Sequence, residues 1–217
     1  MTAEAKPSAV VFDFDGTLVD SMSVFLNVYT KAILALGGPD LTTADIVGAF
    51  HAGSSSEVLS HFLGRVATAA DLECFYSFAV DAATSVRSFD GVPEMLSALA
   101  ASDISVGLFT GATRRTTELL IESCGIAQQF AAVVTGDEVS TPKPAPEGLL
   151  LVCSHLGVPT RAVAYVGDSQ LDVDCARAAG CLAVVALWGR GSGEVRDADA
   201  AAETPSAVLE LVGVQAR

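Results

Sequence analysis

The stretch Val10-Val11-Phe12-Asp13-Phe14-Asp15-Gly16-Thr17-Leu18-Val19-Asp20-Ser21 decides how the rest of the chain is read. It begins as a buried apolar strand and runs into two carboxylates one residue apart. A carboxylate beside such a core is costly unless it is paired or metal-bound, so keeping two implies that they serve a purpose. Side chains alternate along a strand, so Asp13 and Asp15 point the same way, and Gly16 lets the chain turn sharply beyond them. The arrangement suits one carboxylate that attacks phosphorus and a second that carries a proton, with a divalent cation holding both.

Outward from this segment, strand-like runs end at Phe14, Thr110, Thr135, Asp168 and about Leu187, and helical stretches follow the middle ones. That alternation predicts an α/β chain with a parallel, doubly wound sheet. Helix punctuation agrees: Pro146 fits a first-turn position and Gly157 the stop of the same helix, while Gly125 and Gly180 read as further stops. One interval breaks the pattern, because no convincing strand lies between about Ser21 and Phe89. Phe25, Val28, Tyr29, Ala32, Ile33 and Leu36 recur at helical spacing. Ser54 and Glu57 read as a capping box ahead of Val58, Leu59, Phe62 and Leu63. Leu72, Phe75, Ala79, Ala83 and Val86 give another apolar face. An interval of about 65 residues far exceeds an ordinary crossover. The expected organisation is therefore a core from residues 1–20 plus 90–217 and a helical insertion over 21–89. Asp20-Ser21 and Asp90-Gly91-Val92-Pro93 would be the crossings.

A chain of 217 residues, 51% hydrophobic, has room for one substantial core and a smaller lobe. Its longest apolar runs, such as Cys181 to Trp188, are strand-sized, which argues against a membrane span. Met1 to Ser8 carries only Lys6 as a basic residue and no apolar segment, so no signal peptide is expected and the location reads as cytoplasmic. Cys74, Cys124, Cys153, Cys175 and Cys181 show no Cys-x-x-Cys pair and read as buried thiols in a reducing compartment. The formal charge of -14 argues against nucleic acid as a partner. It also repels anionic substrates, so a local cation and oriented N–H groups must receive one.

In an open α/β sheet the ligand sits beyond the carboxyl ends of the strands, and four such ends carry reactive residues. After Gly107-Leu108-Phe109, the segment Thr110-Gly111-Ala112 places a hydroxyl and backbone donors at a helix start, where phosphate is favoured. Arg114 and Arg115, just beyond, read as solvated helix residues. Lys143 stands in Thr141-Pro142-Lys143-Pro144-Ala145-Pro146, where the prolines fix the direction of its amine. A cation there offsets negative charge as a transition state forms. Gly167-Asp168-Ser169-Gln170-Leu171-Asp172 supplies oxygen ligands suited to Mg2+. Asp168 is expected to bind directly with Asp13, and Asp172, one turn on, to orient Lys143 or a metal-bound water. Asp174 is expected to face solvent or cap the helix, and His51, His61 and His155 have no partner at a telling spacing.

Taken together, Asp13-x-Asp15-Gly16-Thr17, Thr110, the Lys-Pro-x-Pro run at Lys143 and the Gly-Asp-x-x-x-Asp run ending at Asp172 resemble the four motifs of the haloacid dehalogenase-like hydrolases. The resemblance is to their helical-cap phosphatases, the phosphoglycolate phosphatase and beta-phosphoglucomutase group. It implies a Rossmann-like core with a small all-helical cap inserted after the first strand. It implies Mg2+ held by Asp13, Asp15 (through its backbone carbonyl) and Asp168, with Asp172 behind them. Asp13 would be the nucleophile, Asp15 the acid and base, and Thr110 and Lys143 further catalytic groups. Gly16, Thr110, Gly111, Ala112 and Lys143 would hold the phosphoryl group. Relatives that cleave carbon–halogen or carbon–phosphorus bonds lack a carboxylate at the place of Asp15. Many relatives carry Asn or Ser after the threonine, where Gly111 and Ala112 offer only backbone donors. Trp188-Gly189-Arg190-Gly191-Ser192 also resembles a segment of this group, in which an aromatic residue is more usual at the place of Arg190.

The implied activity is hydrolysis of a small phosphorylated metabolite, such as phosphoglycolate or a sugar phosphate, through an aspartyl-phosphate, by a monomer or homodimer. The loop from Phe50 to Ser56 is nearly uncharged, and the cap cations Lys31, Arg65 and Arg87 lie outside it. That favours hydrolysis over a sugar phosphomutase, which would grip a second phosphate. A non-catalytic binding module on the same fold is the other alternative, and the four intact motifs speak against it.

Overall fold

The computed structural model describes residues 6–49, 54–189 and 194–215. Its strands are β1 (Ala9–Phe12), β2 (Ser105–Phe109), β3 (Ala132–Val134), β4 (Val163–Gly167), β5 (Leu182–Ala186) and β6 (Ala200–Ala202). They form one sheet in the order β3-β2-β1-β4-β5-β6, and all its pairings are parallel. β1 is central: Val10 lies between Val106 and Ala164, and all four residues of the strand are buried. A parallel strand covered on both faces has no use for alternation of polar residues, which is why the segment reads as continuously apolar.

The two faces bury separate clusters. Val10 and Phe12 pack with residues of α5 (Val92–Ala100), α6 (Arg114–Ser123) and α9 (Pro205–Val212). Ala9 and Val11 pack with α7 (Glu147–Leu156) and α8 (Gln170–Ala179). Gly148 sets the seat of α7: a Cβ there would lie 2.1 Å from the Phe109 ring, so only glycine lets this helix start lie against the end of β2.

Between β1 and β2 lie α1 (Met22–Ala35), α2 (Thr43–Ala49), α3 (Ser55–Leu63) and α4 (Ala69–Ala83). They bury a third apolar cluster that includes Tyr29, Ile33, Ile46, Leu59 and Phe75. The chain leaves and re-enters the sheet layer side by side. Val19 and Ser88 form an antiparallel bridge, the Asp20 N–H donates to Arg87 O at 2.9 Å, and the Phe89 N–H donates to Leu18 O at 3.1 Å.

Several local expectations shift. β1 ends at Phe12 rather than Phe14, although the Asp13 N–H still donates to Val166 O at 2.8 Å. Gly91 to Pro93, read from the sequence as part of the return crossing, instead open α5, with Gly91 at its N-cap (φ 85°). Pro146 sits at the N-cap of α7, one residue before the first turn. β6 is not foreshadowed in the sequence, because three alanines carry no β-branched or aromatic signal. Among the described residues no helix is long and apolar enough to cross a membrane.

Candidate active site

Three strands end on the same side, and each hands a reactive residue to that edge. Asp13 follows β1, Thr110 follows β2 and Asp168 follows β4. Asp13, Thr110 and Asp168 are all buried. The loop ahead of α7 supplies a cation. The Glu147 carboxylate accepts from the Ser140 and Thr141 N–H groups, both at 2.9 Å, and the Lys143-Pro144 peptide is cis. Lys143 Nζ donates to Asp13 Oδ1 at 2.6 Å and to Asp172 Oδ1 at 2.8 Å. Its side chain is 10% exposed, and it lies 4.9 Å over the Phe109 ring.

Asp172 is built into the start of α8. Ser169 is the N-cap and Asp172 the third residue of a capping box, which satisfies the free N–H groups of the first turn. The carboxylate accepts from the Ser169 N–H at 3.1 Å and hydroxyl at 2.5 Å, and from the Tyr165 hydroxyl at 3.2 Å. One Ser-x-x-Asp motif thus starts the helix and aims a carboxylate at Lys143.

Burial opposes the Lys143 ammonium, but Asp13 and Asp172 outweigh it and hold its pKa above the ordinary lysine value. Asp172 is lowered in spite of burial, through Lys143 and Ser169. Burial pushes Asp13 well up, Lys143 pulls the other way, and the nearby Asp172 and Asp168 add to the rise. Burial also raises Asp15, against the hydrogen bond from Ser21 and the charge of Lys143. The Ser21 hydroxyl donates to Asp15 Oδ1, and the Thr110 hydroxyl lies 3.4 Å from Oδ2. A buried, raised carboxyl beside an ionised pair is the combination that separates acid from base within one site.

Asp13, Asp168 and Asp172 bring carboxylate oxygens within 4.8 Å of one another. Buried carboxylates in excess of the single Lys143 ammonium need further positive charge, and an all-oxygen set suits a hard divalent ion. Lys143, Ser169 and Tyr165 already engage Asp172, so Asp13 and Asp168 fit that ion best. Gly16 keeps the place open: its φ is +86°, and a Cβ would lie 2.6 Å from Asp168 Oδ2.

The predicted site residues Asp13, Asp15, Thr110, Gly111, Ala112, Lys143, Asp168 and Asp172 all line one cavity of about 450 Å³; Gly16 is not among its lining residues and lies against Asp168. The helical layer closes the cavity with Met22, Phe25, Tyr29, Ser54 and Ser55. One expected donor is diverted. The Ala112 N–H bonds the Thr110 hydroxyl at 3.0 Å, because a threonine oxygen competes for the amide two residues on.

Nor are the two arginines simply solvated. Arg114 pairs with the Glu138 carboxylate and donates to Val133 O at 2.9 Å. Arg115 pairs with Glu73 on α4 at 2.5 Å and stacks 4.0 Å above Tyr76. Glu118, one turn on, lies 3.9 Å from Arg114, but Glu138 and Glu73 stand far off in the chain, where local spacing cannot reveal them. Asp174 is exposed and accepts from Gln170 at 2.8 Å. Lys31, His61 and His155 are exposed, Arg65 pairs with Asp71 at 2.5 Å, and Arg87 donates to the Thr84 and Val86 carbonyls. Phe50, His51, Ala52 and Gly53, like Arg190, Gly191 and Ser192, lie outside the described residues. Trp188 is described, and its Nε1 donates to Thr17 O at 2.7 Å, tying the turn after β5 to the first motif.

Sequence reasoning missed Ser21, Tyr165, Ser169 and the cavity-lining Tyr29 and Ser55 as site groups. Ser169 was legible as the cap partner of Asp172. The others carry no local signal.

The family model described as "Haloacid dehalogenase-like hydrolase" matches residues 10–186. The chain is 32% identical over 191 residues to a phosphoglycolate phosphatase of Xanthomonas campestris pv. campestris, covering 87% of this chain and 86% of that protein. It is 30% identical over 186 residues to an N-acetylmuramic acid 6-phosphate phosphatase of Pseudomonas aeruginosa, covering 83% and 82%. In fold it matches CbbY from Rhodobacter sphaeroides, solved in complex with phosphate, with a TM-score of 0.82 and 19% identity over 96% of this chain and 100% of that one.

Proposed function

Since the chain belongs to the haloacid dehalogenase-like hydrolases, we propose that it hydrolyses small phosphomonoesters in the cytoplasm through an aspartyl-phosphate on Asp13. The observation that carries this reading is the Lys143 ammonium held between Asp13 and Asp172 at 2.6 and 2.8 Å, with Asp15 opening onto the same cavity.

Asp13 takes the phosphoryl group, which splits one difficult displacement into two easier ones. Asp15, whose pKa burial raises, gives its proton to the departing oxygen. It then takes a proton from the water that attacks phosphorus in the second step. Lys143 holds Asp13 in place and faces the phosphoryl oxygens, while Thr110 and the amides near it complete the cradle. Mg2+ held by Asp13, Asp168 and the Asp15 carbonyl would supply charge that draws the ester in and steadies its oxygens. Residues 21–89 work as a cap over a core of residues 1–20 plus 90–217, bringing Phe25 and Tyr29 to the substrate.

Phosphate release from p-nitrophenyl phosphate and a panel of small esters tests the reading. Turnover is expected with Mg2+, is lost on EDTA, and falls by at least about a thousandfold in Asp13→Asn, since covalent catalysis cannot proceed without the nucleophile. Turnover that survives Asp13→Asn would remove the mechanism.

A further inference from the structure

The phosphoryl site uses only part of the cavity's lining. The rest includes the apolar side chains of Met22, Phe25 and Leu171 and the hydroxyls of Tyr29 and Ser55. Met22 is 38% exposed and Leu171 51% exposed. One stands on α1 in the helical layer and the other on α8 beside the sheet, so apolar surface borders the cavity from both layers. The Tyr29 hydroxyl donates to Ser55 Oγ at 2.9 Å, which leaves Ser55 its own proton to give to a ligand. Burial pushes the Tyr29 phenol up to about 12, so it stays a neutral donor at working pH.

Charge points the same way. Asp13, Asp15, Asp168 and Asp172 all line this cavity. Among the described lining residues the cation is Lys143, and it is already drawn to Asp13 and Asp172. A second anion on the leaving group would give up its hydration beside apolar and hydroxyl groups, with Lys143 and a metal at Asp13 and Asp168 already committed to the phosphoryl group. The volume of about 450 Å³ falls within the usual range for small-molecule sites, enough for a ring-sized alcohol as well as the phosphate.

Resting on the phosphomonoesterase reading above, we infer that the alcohol released is neutral and carries both an apolar face and several hydroxyls, as in a hexose monophosphate. Phe25, Leu171 and the Tyr29–Ser55 pair select it over esters whose alcohol bears a carboxylate or a second phosphate.

Initial rates on the full chain with Mg2+ would compare glucose 6-phosphate, phosphoglycolate and fructose 1,6-bisphosphate. The hexose monophosphate is expected to exceed the other two in kcat/KM by about tenfold or more, the scale on which apolar and hydroxyl contacts discriminate. Leu171 lies outside the three apolar clusters, so Leu171→Arg adds a cation at the cavity with little risk to folding. It is expected to narrow the preference over phosphoglycolate by about fivefold, acting through KM. Leu171→Ala is expected to raise KM for the hexose ester with kcat kept. Phosphoglycolate or the bisphosphate turned over as well as the hexose ester, or a ratio unmoved by Leu171→Arg, would overturn the inference. No phosphate release from any ester, p-nitrophenyl phosphate included, would overturn the phosphomonoesterase reading and this inference with it.

Discussion

In the proposed mechanism the two half-reactions meet at Asp15, and its surroundings make a sharp prediction. Ser21 and Thr110 hold its two oxygens, and burial raises its pKa. With p-nitrophenyl phosphate the leaving group needs little protonation, so Asp15→Asn should still pass the first step. The second step lacks its base and should slow by about a hundredfold or more. Rapid mixing is then expected to show a burst of p-nitrophenolate equal to the enzyme sites, followed by a stall. A uniform slowing with no burst would place Asp15 in the first step alone. At this scale Asp13, Thr110, Lys143 and Asp168 were legible as candidates because each follows a strand end or sits between prolines. Of the groups that hold them, Asp172 was legible by its spacing, but Tyr165 and Ser21 were not. Tyr165 in a buried strand reads as core, and only the fold reveals that its hydroxyl reaches Asp172. Ser21 reads as a linker residue, and only the turn at Gly16 brings it back to Asp15.

The start of α4 shows how an element carries its own pH dependence. Thr68 is the N-cap and Asp71 closes the capping box, while Arg65 reaches Asp71 with both terminal nitrogens, at 2.5 and 2.9 Å. These contacts, Arg65 first and then Thr68, hold the Asp71 carboxyl well below its ordinary value of 3.8. The unfolded chain therefore binds this proton first on acidification. The stabilisation is complete above the ordinary carboxylate range and is lost as pH falls below about 4 toward the depressed native value. Urea midpoints followed down from about pH 6 should drop less steeply in Asp71→Asn than in the native chain. Equal slopes would mean that the box contributes nothing in the folded state. The periodicity of α1, α3 and α4 was plain in the sequence because each buries one apolar face in a shared cluster. β6 and α2, three and seven residues long, are too short for periodicity to register. They exist through the neighbours they pack against.

Over the whole molecule the formal charge is -14, while the reaction proposed for it begins with an anion. Distant carboxylates would repel a phosphomonoester until it reaches Lys143 and a metal held by Asp13 and Asp168. Raising ionic strength from about 10 mM to about 150 mM shortens the screening length from about 30 Å to about 8 Å. At saturating Mg2+, kcat/KM is expected to rise about two- to fivefold over that range. A fall would show that local positive charge governs the encounter. The sheet order has a consequence of another kind, in the timing of synthesis. β1 is made first, yet it stands between β2 and β4, and Lys143 meets Asp13 across 130 positions of sequence. A growing chain therefore carries Asp13 on an unpaired strand until residue 109 has emerged, and with one side open until residue 167. Contacts so distant close late and slowly. If Asp13 is the nucleophile proposed above, the chain can attack phosphorus only after residues as far as Asp172 have been translated, and each nascent molecule stays chemically silent until then.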